Sequence, residues 1–253
     1  MLCDFPKFHT SFRASISNKD IDGLQTAEQH FSDCYLVSTL DSLSHTENGR
    51  KILQKQIEYD NENPELINCY LYKKNGEQEK FSVPTSKALA GYEKLYQHQQ
   101  NNILRSLDIS VSEYENKHKS KPLLCRIADK FKQFSFEYNL PSHFMETLTG
   151  IKPSVNIAES DFNLNLKPYE KEVRALFEQM DKNKEHSFVI GTGIKELDGR
   201  RWHTYVLESV DLKNNKVRIK NKRGNIIREM TVEEVLSRFK YIVGYFNRDL
   251  IKP

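Results

Sequence analysis

The spacing of the apolar residues changes between the two halves of the chain, and this change restricts the fold more than any other feature. In the first half, Leu36, Val37, Leu40 and Leu43 recur at helical spacing. In the second half, four segments have the composition and length of strands instead: SFVIGTG, HTYVLESV, KVRIKN and YIVGYF. The sequence therefore predicts an α+β fold in which a mainly helical part is followed by a mainly β part.

The chain has 253 residues, which is enough for one large domain or two closely packed subdomains. The first 25 residues show no clear periodicity, and we expect residues 1–25 to form an arm that lies against the domain. Residues 152–169 are loop-like and mark a seam between the halves. We therefore expect a mainly helical subdomain over residues 26–155 and a mainly β subdomain over residues 156–253.

Local patterns predict several individual elements. A second helix follows through GRKILQKQI, and residues 86–148 have mostly helical spacing. The stretch ELINCYLYKKNGEQEKFSVP contains two strand-like runs around Asn75 and Gly76, which is a strong signal for a β-hairpin. Thr231 is followed three residues later by Glu234, which is the capping-box pattern that starts a short helix before the last strand.

The composition excludes several functional classes. The net charge of +3 comes from 38 basic and 35 acidic side chains spread along the chain, which argues against a nucleic-acid partner. No apolar run approaches the roughly 18 residues of a membrane span, so we expect a soluble protein without a membrane partner. The four cysteines are far apart, without a CxxC pair or histidines at ligand spacing. We therefore expect free thiols and neither a disulfide framework, a metal nor a cofactor.

Cys34 is placed where a cysteine is most easily ionised. If Ser32 or Asp33 caps the helix, Cys34 lies in the first turn, where unpaired N–H groups and the helix dipole favour a thiolate. The thiolate is the nucleophilic form of cysteine. The alternative is a small buried residue without a chemical role, the commoner fate of a free cysteine and the one we expect for Cys69 and Cys125.

A thiolate nucleophile needs a base and a group that orients the base. His203 is the best placed of the eight histidines, because it starts a predicted strand just after the polar turn KELDGRR. The next predicted strand ends at Asn221, and two antiparallel neighbours would bring that end beside His203. Asn221 would then accept the imidazole N–H. Alternatively, His203 is an ordinary strand-end residue and Asn221 an ordinary turn residue.

Three segments together resemble the calpain-like branch of the papain-like cysteine peptidases. DCYLVSTLDSLS is similar to the block in which Asp-Cys and an aromatic residue open an apolar helix. HTYVLESV followed by VRIKNKRGN resembles the block with a His-x-Tyr strand and a strand that ends in Asn shortly before Gly. Between them, LLCRIADKFKQFSFEYNLPSHFMETLTGIKP is similar to a helical stretch that ends in Leu-Thr-Gly. The resemblance extends, with gaps and in the right order, from about Ile21 to about Phe246.

The resemblance implies a papain-like fold with a cleft between a helical and an antiparallel β subdomain. It implies Cys34 as the nucleophile, His203 as the general acid and base, and Asn221 as the residue that orients His203. The backbone N–H of Cys34 and a glutamine would stabilise the oxyanion. The resembled motif has this glutamine six residues before the cysteine, where this chain has Glu28, and we favour Gln29, which lies five residues before it.

The chain departs from the resembled motif after Asn221. Lys222 and Arg223 stand where the motif has Pro-Trp, and the tryptophan normally shields the His–Asn pair from water. Trp202, the only tryptophan, is a candidate for this cover or an ordinary packing residue. No acidic loop supports calcium binding.

The resemblance implies a thiol peptidase that cleaves protein or peptide substrates through a thioester. Two alternatives stay open: a deamidase or acyltransferase with the same three residues, and a catalytically inactive protein-binding module. A compact chain suits limited cleavage of few targets, as in a bacterial effector, located in the cytoplasm or delivered to a host cytosol without a cleavable signal peptide. The oligomeric state does not follow from the sequence.

Overall fold

Two antiparallel sheets and the helices around them form an α+β fold. The computed structural model describes residues 14–29, 33–85, 101–118, 140–193, 197 and 202–246. Within these ranges there are seven α-helices and one short 3₁₀ helix. The elements follow one another in the order that the sequence predicts, with helices concentrated in the first part and strands in the second.

The first part combines five helices with a four-stranded sheet. The helices are α1 (Asn18–Thr26), α2 (Cys34–Ser44), α3 (Glu47–Gln56), α4 (Asn102–His118) and α5 (Pro141–Thr149). The sheet has the strand order β1 (Ala14–Ser15), β2 (Ile57–Tyr59), β3 (Leu66–Tyr72) and β4 (Gln78–Pro84). The β3–β4 hairpin turns at Asn75 and Gly76, as the sequence predicts, and Gly76 has a φ of +84°.

The second part is a six-stranded sheet with two helices. Its strands are β5 (Val155–Ile157), β6 (His186–Thr192), β7 (Thr204–Asp211), β8 (Lys216–Asn221), β9 (Ile226–Met230) and β10 (Phe239–Phe246). Their order across the sheet is β5-β10-β6-β7-β8-β9. The helices are α6 (Glu170–Lys182) and α7 (Val232–Arg238), and a 3₁₀ helix over Lys167–Tyr169 precedes α6. Thr231 and Glu234 form both hydrogen bonds of the predicted capping box at α7.

The strands β6 and β10 of the larger sheet are buried on both faces, and helix α2 covers one of these faces. Alternate residues of β6 belong to different cores: Val189 lies in the core with α2, whereas Phe188 and Ile190 lie in the core with α6. Every residue of α2 is buried. Two hydroxyls join this helix to the sheet: Ser38 donates to the Thr204 carbonyl at 3.0 Å, and Ser187 donates to the Ser42 carbonyl at 2.9 Å. Helix α2 therefore links the two parts of the molecule.

Residues 14–25 differ from the predicted N-terminal arm. Ser17 caps α1 and forms a capping box with Asp20, and the side chains of Ile16, Ile21 and Leu24 are buried in the first core. The sequence prediction missed this helix because it has few apolar positions and its periodicity is correspondingly weak. Residues 1–13, including Cys3, lie outside the described residues.

Two further differences concern the seam and the second half. The predicted loop over residues 152–169 contains β5, which pairs with β10, so the predicted boundary between residues 155 and 156 cuts an edge strand of the larger sheet. The sequence also missed β9, because Ile226 and Ile227 are both largely exposed and IIREM lacks an alternating pattern. Of the predicted helical residues 86–148, the ranges 86–100 and 119–139, which include Cys125, lie outside the described residues.

Candidate functional site

Cys34 is the first residue of α2, and its sulfur contacts the start of β7. The backbone N–H groups of Thr204 and Tyr35 donate to the sulfur, and the Thr204 hydroxyl lies against it. Cys34 is only 1% exposed, but unlike Cys69 it does not belong to the hydrophobic core clusters of the described residues. Its polar surroundings distinguish it from a cysteine that only fills space.

His203 and Asn221 form a direct hydrogen bond, with 3.0 Å between Nε2 and Oδ1. The two residues meet because β7 and β8 are antiparallel neighbours, in which Val206 pairs with Lys220. The end of β8 thereby lies beside the start of β7, as the sequence predicts. Both side chains are buried.

The hydrogen bonds around Asn221 determine the state of the imidazole. The backbone N–H of Arg223 donates to Oδ1 of Asn221 at 3.0 Å, which identifies this atom as the amide oxygen. Since Oδ1 accepts, Nε2 of His203 carries the proton, and Nδ1 of a neutral imidazole is then free of a proton and able to accept one. The Tyr205 ring packs edge-on against the His203 ring, with 4.7 Å between the centroids.

The Cys34 sulfur contacts the residue that directly follows His203. The N–H that donates to the Cys34 sulfur belongs to the peptide bond between His203 and Thr204. The backbone of His203 is fixed there by two hydrogen bonds with Thr192: its N–H donates to the Thr192 hydroxyl at 3.0 Å, and its carbonyl accepts the Thr192 N–H at 2.9 Å. Thr204 is thus a contact residue that sequence reasoning missed, although it is the middle residue of the His-x-Tyr pattern.

The ionisation of Cys34 differs from the expectation based on its helix position. Burial raises the pKa of the Cys34 thiol from 9.0 to about 11, and the hydrogen bonds from Thr204 offset only part of this effect. The Asp33 carboxylate raises the pKa further, and its side chain does not cap α2. Desolvation therefore outweighs the helix N-terminus, and the buried sulfur is a thiol at neutral pH.

The two residues considered for the oxyanion glutamine position differ in burial. Gln29 is buried, and its backbone N–H donates to the carbonyl of Lys222 at 2.9 Å, next to Asn221. Glu28 is exposed to solvent. The site residue favoured from the sequence is therefore held beside the Asn221 strand end, whereas residues 30–32, which connect Gln29 to Asp33, lie outside the described residues.

Trp202 adopts an unusual backbone conformation just before His203. Its φ is +53°, its N–H donates to the Gly193 carbonyl at 2.9 Å, and 40% of its surface is exposed. The Tyr205 ring makes an aromatic contact to the His203 ring. That Trp202 shields the His203–Asn221 pair from water stays a prediction.

Buried charges next to Asn221 were also missed. The side chains of Lys222 and Asp41 are both fully buried and lie 2.6 Å apart. The sequence feature that could have indicated this buried pair was Asp41, an acidic residue among the apolar residues of α2. By contrast, the described residues contain no group of three or more side chains that could hold a metal ion.

A separate cavity of about 570 Å³ lies between the β3–β4 turn and α5. Its lining includes Lys73, Lys74, Lys152 and His143. None of the site residues predicted from the sequence contributes to it. Within the described ranges, no helix is long and apolar enough to cross a membrane.

Neither a comparison with protein-family models nor one with curated proteins finds a match for this chain. Functional inference therefore depends on the residues themselves and on their geometry.

Proposed function

We propose that the chain is a papain-like cysteine peptidase in which Cys34, His203 and Asn221 form a catalytic triad. The observation that carries this proposal is the 3.0 Å hydrogen bond between His203 and Asn221, located where the peptide N–H of Thr204 binds the Cys34 sulfur. A nucleophile at a helix start, a base at a strand start and an orienting amide are the parts that thiol-dependent acyl transfer requires.

The proposed reaction uses the tautomer that Asn221 fixes. With Nε2 protonated, Nδ1 of His203 accepts the thiol proton as the Cys34 sulfur attacks the carbonyl carbon of a peptide bond. The sulfur–carbon bond forms and the carbonyl π electrons move to oxygen. His203 then gives the proton to the departing amine, which leaves a thioester on Cys34. Water, deprotonated by His203, hydrolyses the thioester and regenerates the thiol.

The negative oxygen of the tetrahedral intermediate needs donors that are already in place. We assign this role to the backbone N–H of Cys34 and to the side-chain amide of Gln29, which is buried beside the Asn221 strand end. The carboxylate of Glu28 is exposed and would oppose the charge of the oxyanion. Gln29 is therefore the better candidate.

The high pKa of the Cys34 thiol affects the stage of the reaction at which the thiol proton is transferred to His203. A preformed thiolate would require interactions that lower the pKa by more than burial raises it. Burial, however, has the largest effect on the pKa of this thiol. We therefore infer that proton transfer to His203 accompanies the attack on substrate. The substrate would be an extended segment of a protein or peptide, bound in a cleft between the helical and the β subdomain of a papain-like fold.

The test is intact-mass analysis of candidate protein substrates after incubation with the purified chain. We expect backbone fragments with the wild type and with Cys69→Ala, a matched change at a cysteine of the hydrophobic core. We expect no fragments with Cys34→Ala or His203→Ala. A thiol-directed electrophilic peptide probe should label Cys34 in the wild type, should not label Cys34→Ala, and should label His203→Ala much less.

Three outcomes contradict the proposal in different ways. A mass increase of about one unit without fragments would indicate deamidation of a side-chain amide through the same thioester. Fragments that persist with Cys34→Ala would rule out Cys34 as the nucleophile. Binding of a protein without any change in its mass, together with no labelling of Cys34, would favour a binding module.

A further inference from the structure

A buried ionic cluster lies directly beside Asn221. The Lys222 Nζ is 2.6 Å from Oδ2 of Asp41, and the Lys220 Nζ is 2.8 Å from the same oxygen. His45 Nε2 is 2.8 Å from the other carboxylate oxygen. Both lysines also donate to the backbone carbonyl of Gln25, at 2.7 Å from Lys222 and 2.9 Å from Lys220. Asp41, Lys220 and Lys222 thus each have a group of opposite charge or a carbonyl as a partner.

Burying such a cluster contributes little net free energy to the stability of a fold. Removing two ammonium groups and a carboxylate from water costs several kcal/mol per ion, on the order of what their attraction returns, and apolar residues of similar volume often serve as well. The cost is visible in Lys222, whose pKa burial lowers to about 8 despite the nearby Asp41. A specific geometric role would explain why these charges occupy the interior.

Lys222 is connected to three parts of the proposed active site. It follows Asn221 directly at the end of β8, and its carbonyl accepts the N–H of Gln29 at 2.9 Å. Its ammonium group binds Asp41, which lies seven residues after Cys34 and therefore about two turns along the same face of α2. One side chain thereby ties the strand end with Asn221 to the helix with Cys34.

We infer that Lys222 is a positioning residue, whose buried ion pair with Asp41 holds Asn221 in register with His203 and Gln29. This inference rests on the proposed peptidase function. Lys222 stands where the resembled motif has proline, a residue that restricts the backbone through its ring. In this chain, the side-chain tether to α2 and to the Gln25 carbonyl restricts the same position.

The inference has a direct physical consequence for the imidazole. Without the ammonium group of Lys222, the residue that follows Asn221 loses its link to α2, and Lys220 alone joins β8 to Asp41. Asn221 then no longer holds the Nε2–H tautomer of His203. The fraction of His203 able to accept the thiol proton falls, whereas residues that contact substrate are unchanged. Misplacement of a reacting group by about 1 Å can cost about 10²-fold in rate. We therefore expect kcat to fall by about 10- to 100-fold with KM within about twofold.

The experiment compares three variants. Lys222→Met removes the charge with little change in length. Asp41→Leu with Lys222→Met replaces the ion pair by apolar residues and leaves Lys220 with the Gln25 carbonyl as its partner. Lys216→Met is the matched control, because this lysine lies at the opposite end of β8 and is half exposed and paired with Glu229. The readouts are the thermal midpoint, kcat and KM, and the ¹⁵N NMR signals of the His203 imidazole, assigned with His203→Gln.

A positioning role and a merely structural role give different results. We expect both Lys222 variants to show a mixture of His203 tautomers and the lower kcat, even where the double variant regains the thermal midpoint of the wild type. Lys216→Met should match the wild type in every readout. If a folded Lys222 variant keeps the single Nε2–H tautomer and the full kcat, the inference is wrong. Failure of both Lys222 variants to fold would also contradict it, since the residue would then act on the fold as a whole.

The NMR readout separates this inference from the proposed function. If the wild type hydrolyses no peptide bond but the Lys222 variants lose the Nε2–H tautomer, the peptidase proposal fails and the positioning role stands. If the wild type is active and the variants keep both tautomer and rate, the peptidase proposal stands and the positioning role fails.

Discussion

At the residue scale, Cys34 combines two environments with opposite effects on its pKa. It opens a helix and accepts hydrogen bonds from Thr204, which favours the thiolate, but complete burial favours the thiol and wins. The folded pKa of about 11 lies above the ordinary 9.0, so the folded protein retains this proton between these values while the unfolded chain loses it. The contribution of Cys34 to stability is therefore complete below pH 9.0 and decreases as the pH rises towards about 11.

The first prediction concerns the titration of this thiol. The difference in thiolate absorbance near 240 nm between wild type and Cys34→Ala should stay small from pH 6 to about 9, since the folded pKa is about 11. Cys69 is present in both proteins and cancels in the difference. Titration of a thiolate below pH 7 would instead show a resting ion pair between Cys34 and protonated His203.

The second prediction assigns the oxyanion donor. Gln29→Ala should lower kcat by about 10²–10³-fold, the usual cost of losing one such donor, without unfolding the protein. Glu28→Gln is the matched control at the neighbouring position and should change kcat little, because Glu28 is exposed. Steady-state kinetics on a cleaved peptide measure both. A large loss for Glu28→Gln and none for Gln29→Ala would reverse the assignment.

At the scale of elements, hydroxyl groups fix the position of α2 on the larger sheet. Ser38 lies one turn after Cys34 and donates to the carbonyl of Thr204, the residue whose N–H binds the Cys34 sulfur. The same short stretch of β7 thus contacts the helix at two successive turns. The orientation of Cys34 relative to β7 therefore depends on how the whole helix is seated.

The third prediction tests this seating. Ser38→Ala leaves the buried Thr204 carbonyl without this donor and should lower the free energy of unfolding by about 1–3 kcal/mol. Ser237→Ala, at an exposed hydroxyl of α7 that donates to the Glu234 carbonyl, should cost no more than about 0.5 kcal/mol. Urea denaturation gives both values. Equal stability of Ser38→Ala and the wild type would show that apolar packing alone seats α2.

Elements that depend on neighbouring residues were predictable from the sequence. The Asn75-Gly76 turn was predicted because glycine accepts a positive φ, and α7 was predicted because Thr231 and Glu234 lie at capping-box spacing. Helix α1 has a capping box too, at Ser17, but its buried positions are too few to give a clear period. Strand β9 was missed because its two isoleucines, Ile226 and Ile227, are exposed at a sheet edge.

The candidate site was predictable only in part, because only some of its contacts join residues that the order of neighbouring strands brings together. Two adjacent antiparallel strands suffice to bring Asn221 to His203, and this pairing could be predicted from the strand order. The contact between Asp41 and Lys222 joins residues 181 positions apart, and no local pattern indicates which buried lysine an acidic residue will meet. The sequence left open whether Cys34 is buried, because its burial depends on β7 packing over the start of α2.

At the scale of the whole molecule, the Asp41 cluster joins elements from both parts of the chain. Burial alone would raise the pKa of the Asp41 carboxyl, but the hydrogen bond from His45 and the charges of Lys222 and Lys220 lower it below 3.8. An acid whose folded pKa is depressed contributes stability above its unfolded pKa, and this contribution is lost as the pH falls through the folded value. The cluster should therefore stabilise the protein at neutral pH and less in strong acid.

The fourth prediction follows from breaking this cluster. Asp41→Asn leaves the ammonium groups of Lys222 and Lys220 buried without their carboxylate, and removal of one partner of a buried pair typically costs about 3–5 kcal/mol. Urea denaturation at pH 7 should show this loss. The difference from the wild type should shrink as the pH falls below 3.8, because the wild-type carboxyl then becomes protonated as well.

The control for this prediction is Asp181→Asn, whose carboxylate lies 3.5 Å from Lys184 in a largely exposed pair. Such a pair contributes about 0–1 kcal/mol, so this variant should unfold close to the wild type at pH 7. If Asp41→Asn is as stable as Asp181→Asn, Lys222 must be neutral in the folded protein, since a charged Lys222 cannot lose its carboxylate at so small a cost. The two parts of the chain would then be joined at this point by packing and by the Gln25 carbonyl alone.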